Sequence, residues 1–203
     1  MKSKKIILVV ILVILIIALA VCGDVARKMR IFRKIEEEVS KYNNYENYYI
    51  KLENSSGYTQ EYFKMGNKEK LVTVNTVGMA QIKVTEYYDG TKKVIYTETP
   101  ENRIAKTVED ASVNQPVLWS LGFKNSWYWI KIAMTTSVKE SDYNDKKCYY
   151  IDGSYLQDTY IEEDTGLTLA NKNGESKIKY EYKFDTVKES DFEIPDAEKY
   201  EEQ

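Results

Sequence analysis

Few side chains in this sequence could do chemistry, and they fall into three groups. Cys22 closes the run Leu19-Ala20-Val21-Cys22 ahead of Gly23, where a thiol three residues after a leucine could be the acceptor of a lipid anchor. Val21 stands where such a cleavage box wants a small residue, so a passive membrane cysteine is the competing reading. Acidic runs at Glu36-Glu37-Glu38, Glu162-Glu163-Asp164 and Asp196 to Glu202 could hold calcium, but none has the regular oxygen spacing with glycine of a calcium loop. They read as solvated faces and an acidic tail. Trp119, Trp127 and Trp129 form the third group; large aromatics bind by burial, as the lid and mouth of an apolar pocket or as the plug of a core. With no histidine in the chain, Ser-His and Cys-His nucleophile pairs, histidine bases and His-containing zinc sites are excluded. No carboxylate pair is marked for glycoside hydrolysis either. The expectation is a non-enzymatic binding protein with no cofactor and no metal.

What positions these groups begins with a membrane segment. Ile6 to Val21 is an unbroken run of aliphatic and alanine side chains, preceded by Lys2, Lys4 and Lys5. At about 1.5 Å per residue a helix over it reaches roughly 25 Å, the short end of what crosses a hydrocarbon core of about 30 Å. Three fates fit: a retained signal anchor, a lipoprotein signal lipidated at Cys22, and a signal peptide cut after Ala18-Leu19-Ala20. Arg27, Lys28, Arg30, Arg33 and Lys34 follow the segment, and by loop charge alone they would hold the domain in the cytoplasm. The signal-like order of charge, apolar core and polar exit argues for the opposite side, and the reading is a single-pass cell-membrane protein with an extracytoplasmic domain. The division is residues 1–23 as anchor or lipoprotein signal, 24–195 as one domain and 196–203 as an acidic tail.

Charge separates root from body. Residues 1–34 carry a net +7, so the remainder of a chain of net −3 carries −10. An acidic body is repelled by phosphate backbones, which argues against nucleic acid as a partner. Cys22 and Cys148 are too differently placed to pair, so no structural disulfide is expected.

Beyond the anchor the pattern predicts one helix and then strands. Val25, Met29, Phe32, Ile35 and Val39 make one apolar stripe on a helix from about Asp24 to Lys41, either starting afresh after Gly23 or continuing the membrane helix. From Tyr45 the period becomes two. Ile178, Tyr180, Tyr182 and Phe184 alternate with charged residues, the mark of an antiparallel strand with one wet face. Turn signals such as Asp89-Gly90, Asn144-Asp145 and Asn173-Gly174 recur at spacings near ten residues, which predicts a meander of hairpins. The meander is interrupted between Asp110 and about Lys131, where Pro116 to Gly122 reads as a short helix.

Certain stretches carry a resemblance. They are Lys147-Cys148-Tyr149-Tyr150-Ile151-Asp152, Thr159 to Leu167 with its Asp164-Thr165-Gly166-Leu167 turn, the Ile178 to Phe184 strand, and Ser190-Asp191-Phe192-Glu193-Ile194-Pro195. In these, and in the order of elements, the chain resembles the LolA/LolB-like lipoprotein-carrier superfamily, in its clostridial and bacillar membrane-anchored branch. The match covers most of residues 25–195 in element order but only some 50 in motif detail. Val21, and a tyrosine before the acidic turn where relatives often have tryptophan, depart from the pattern. The resemblance implies an α+β fold: a strongly curved antiparallel sheet, an incomplete β-barrel, closed by helices around a hydrophobic concave face. It also implies a lipid or lipopeptide tail as ligand. Candidate wall residues are Phe32 and Ile35, Ile82 and Val84, and Trp119, Leu121, Phe123, Trp127 and Trp129. The competing expectation is a protein-interaction module for an envelope or cell-wall enzyme, similar to clostridial spore-germination lipoproteins. An empty apolar cavity would favour the first, and a filled core with an exposed edge the second.

Overall fold

The computed structural model describes residues 2–109, 111–114, 126–153, 158–173, 175–196 and 199–202. One helix, α1, spans Lys2–Ser40 and runs straight through Gly23. A mid-helix glycine costs only about 1 kcal/mol relative to alanine, and Leu19-Ala20 before it and Ala26-Arg27-Lys28-Met29 after it are strong helix formers. Asp24 therefore sits inside the helix, where its carboxylate meets Lys28 one turn on at 2.6 Å. Ile6 to Val21 is exposed all round, and α1 is long and apolar enough to cross a membrane. Its second half is amphipathic: Ile31, Phe32, Ile35 and Val39 are buried while Arg30, Arg33 and Glu37 face out.

The strands are Asn47–Asn54 (β1), Thr59–Met65 (β2), Lys68–Val77 (β3), Ala80–Tyr88 (β4), Lys92–Glu98 (β5), Arg103–Glu109 (β6), Thr136–Tyr143 (β7), Lys146–Gly153 (β8), Thr159–Glu162 (β9), Thr168–Asn173 (β10), Ser176–Phe184 (β11) and Glu201–Glu202 (β12). They form one large open sheet in the order β12-β6-β5-β4-β3-β2-β1-β11-β10-β9-β8-β7. Every ladder is antiparallel except the short β12–β6 pair. Two meanders, β1–β6 and β7–β11, are thus sewn together by the β1–β11 ladder, which runs from Tyr48 opposite Phe184 to Asn54 opposite Ile178. The β7–β8 hairpin turns on Asn144 and Asp145, both at positive φ, as a two-residue turn that follows strand twist requires.

The two hydrophobic clusters of the core lie on one face of this sheet. A second helix, α2 (Ser126–Thr135), packs on α1, and together they cover Val138, Tyr149, Ile151 and Ile161 of β7–β9. A second cluster, Tyr48, Ile50, Tyr62 and Leu71 with Val113, continues on the same face, as the pairings Ile50 with Tyr62 and Tyr62 with Leu71 require. On the opposite face the C-terminal segment crosses β3–β5. Phe192 packs on Tyr87, Tyr200 on Tyr96, and Lys70 Nζ donates to the Asp191 carbonyl at 2.7 Å. The acidic tail is thus tethered at Tyr200 and again where β12 joins β6. The short helix expected at Pro116 to Gly122 lies outside the described residues.

Candidate binding cleft

Strand β11 has different neighbours along its two edges. Toward β1 the ladder extends to Phe184, whereas toward β10 it stops at Lys179, opposite Ala170. A register shift in the β9–β10 ladder, between Thr168 and Ala170, falls where the pairing of β10 with β11 stops. Bulges bend a strand and end its pairing in this way. The parting is a cleft of about 530 Å³, bounded by Tyr180, Tyr182 and Phe184 on one side and by Glu162, Thr165, Leu167 and Leu169 on the other.

The main chain inside the cleft follows from the register. Asp185 N donates to the Asn47 carbonyl and Ser55 N to the Lys177 carbonyl, so odd-numbered residues of β11 bond to β1. Antiparallel strands alternate their bonding direction, so the N–H and C=O of Tyr182 and Phe184 point away from β1, into the cleft, where β10 has ended. Main-chain groups of this kind form a template for another strand.

Side chains divide the cleft into an aromatic end and a charged rim. Phe184 lies 4.5 Å from Tyr42 and 4.9 Å from Tyr45, ring centre to ring centre, which ties the end of α1 to β11. Burial raises the phenols of Tyr42, Tyr180 and Tyr182 above their ordinary value, so all three stay neutral donors. Around the rim Lys51, Lys146 and Lys179 are matched by Glu53, Glu162 and Glu181, with Lys146 on Glu162 at 2.8 Å and Lys51 on Glu53 at 2.9 Å. The cleft therefore carries no net charge.

Sequence-predicted site residues are scattered by the fold. Phe32 and Ile35, at 0% and 2% exposed, are core side chains packed with residues of β7–β9. Ile82 and Val84 are half-buried on the far arm of the sheet, opposite Asn75 and Thr73 of β3. Trp119, Leu121 and Phe123 lie outside the described residues. Trp129 packs on Phe32 at 6.1 Å, whereas Trp127 is 76% exposed. Cys22 is an exposed residue within α1, and Cys148 is buried with its thiol pushed up by that burial; both are free. The cleft residues Tyr42, Leu167, Leu169 and Tyr182 were not among the candidates. Their signals in the sequence are the Tyr180-Tyr182-Phe184 alternation and the Thr165-Gly166-Leu167 turn, both of which mark the fold before they mark a site.

Searches of family models, curated proteins and solved structures return no match to this chain.

Proposed function

We propose that this protein is a membrane-tethered, extracytoplasmic interaction module that receives an extended segment of an envelope protein along β11. The observation that carries this reading is the pair of main-chain edges at Tyr182 and Phe184, directed into a cleft from which β10 has turned away. Strand addition supplies affinity through main-chain bonds and selectivity through alternate side-chain pockets. Here the pockets would be the aromatic end at Tyr42 and the apolar floor at Leu167 and Leu169. A balanced rim suits a polypeptide better than a polyanion. α1, crossing the membrane with its basic root against the headgroups, holds the module at the surface.

A second reading has its own observation. About 530 Å³ with an apolar floor is within the roughly 300 to 1,000 Å³ range of small-ligand sites, so an acyl chain of a lipid or lipopeptide could enter the half-barrel-like space. One experiment separates the two. A photo-crosslinking amino acid at Lys146, on the rim, is activated in cells, and the protein is also released in mild detergent for native mass spectrometry. A crosslink mapping to one short segment of a protein, with no added lipid mass, supports strand addition. Retained lipid displaced by a Leu169→Trp filling of the cleft supports the acyl reading and overturns the first.

A further inference from the structure

The domain is not held above the membrane on a stalk. Val25 already packs into the core four residues after the apolar run ends, and Arg27 Nη2 donates to the Val138 carbonyl at 3.0 Å. At the end of α2 a groove of about 410 Å³ is lined by Ala20, Val21, Asp24, Val25 and Lys28 of α1 and by Ala133 and Met134 of α2. Ala20 and Val21 belong to the membrane run itself, so the groove opens at the depth where hydrocarbon gives way to headgroups. Met134, 64% exposed, sits at its lip. Above the apolar walls is Lys28, only 12% exposed, whose ammonium has three donors of which Asp24 engages one at 2.6 Å.

We infer that this groove seats a phospholipid of the bilayer that α1 crosses, with an acyl chain along Val21 and Met134 and the phosphate at Lys28. The inference rests on α1 being membrane-inserted. Apolar side chains at Ala20 and Val21 with the Lys28 cation about two turns higher match the order of tail and phosphate in a phospholipid, and a lysine near an anionic bilayer surface attracts its headgroups. Asp24 and Lys28 make the upper end of the groove polar, whereas the side chains of Ala20, Val21, Ala133 and Met134 offer water no partner lower down. The domain is then fixed in orientation, with the α2–β7 corner resting in the interface.

Depth measurement on the full chain tests this. Met134→Cys in a Cys22→Ser background, labelled with an environment-sensitive fluorophore, is reconstituted in phosphatidylcholine–phosphatidylglycerol vesicles with or without brominated acyl chains. Buried Cys148 is left unlabelled in the folded protein. Strong quenching by the brominated lipid, and phospholipid retained in native mass spectra by the unlabelled wild-type chain but lost in Lys28→Glu and kept in Lys28→Arg, is the expected result. If the protein resists carbonate extraction yet the label is quenched by aqueous iodide and not by lipid, the groove is empty of lipid and the inference fails while the anchor stands. If carbonate releases the protein, the membrane reading of α1 fails and takes the inference with it.

Discussion

Gly166 lies against the main chain of α1 beside Ile35: a β-carbon placed on it would come within 2.5 Å of the Ile35 carbonyl oxygen and 2.9 Å of the Val39 nitrogen. Its φ of +70° adds a conformation that side chains resist. The Thr165-Gly166-Leu167 turn is therefore a close contact that helps to seat α1 on the sheet. Gly166→Ala should cost about 2 to 4 kcal/mol, from the left-handed backbone and the overlap together. Gly78, at φ +63° with nothing within 4 Å of its would-be β-carbon, is the control. Gly78→Ala should cost only the backbone part, about 1 to 2 kcal/mol, in chemical denaturation of the detergent-solubilised chain.

Glu163 joins helix and sheet electrostatically. Its Oε1 accepts from Lys34 Nζ at 2.8 Å and from the Tyr149 hydroxyl at 3.0 Å. The hydrogen bond from Lys34, then that from Tyr149, holds the carboxyl below its ordinary value of 4.5. A depressed carboxyl contributes stability that is full above its unfolded pKa and is lost as pH falls through the lower folded one. Glu163→Gln should therefore destabilise at neutral pH, and the difference from wild type should shrink below about pH 4.5 and vanish once the folded carboxyl is protonated. Both partners are about a third or more exposed, so the loss should stay under about 1 kcal/mol. Paired melts across the acid range check both the sign and the window.

The two described tryptophans should behave oppositely. Trp127 is largely exposed, and Trp127→Ala should change stability by no more than about 0.5 kcal/mol. Trp129 packs on Phe32 at the junction of α1 and α2, and Trp129→Ala should cost about 2 to 4 kcal/mol, less than a fully buried tryptophan because its ring is half-buried. Equal losses from both would mean that α2 is packed by a different face.

Local periodicity made the large elements readable. The stripe from Val25 to Val39 and the alternation from Ile178 to Phe184 both record burial on one side: the structure buries Phe32, Ile35 and Val39 and half-buries the even-numbered residues of β11. Helix α2 escaped because Ser126-Trp127-Tyr128-Trp129-Ile130 is aromatic and β-branched, strand-like in composition, and becomes helical by docking on α1. The cleft was not legible for a different reason. It arises where β10 leaves β11 at a register shift, and β11 reaches β1 across more than a hundred residues of chain. No single-strand pattern encodes which of two neighbours will be missing.

That missing neighbour gives a residue-by-residue prediction. Glu181 and Lys183 exchange main-chain bonds with Lys51 and Tyr49, while Tyr182 and Phe184 direct theirs into the cleft. Hydrogen exchange on the solubilised protein should therefore alternate along β11, with the amides of Glu181 and Lys183 slow and those of Tyr182 and Phe184 fast, although all four residues share one strand. Ile178, whose N–H faces β10 within the remaining ladder opposite Asn171, should be slow. A partner strand added at the cleft would satisfy the even-numbered amides and remove the alternation. An acyl chain has no acceptor to offer and would leave it in place. Uniform protection from Ile178 to Phe184 in the unliganded protein would mean that the edge is closed, and the strand-addition reading would fall with it.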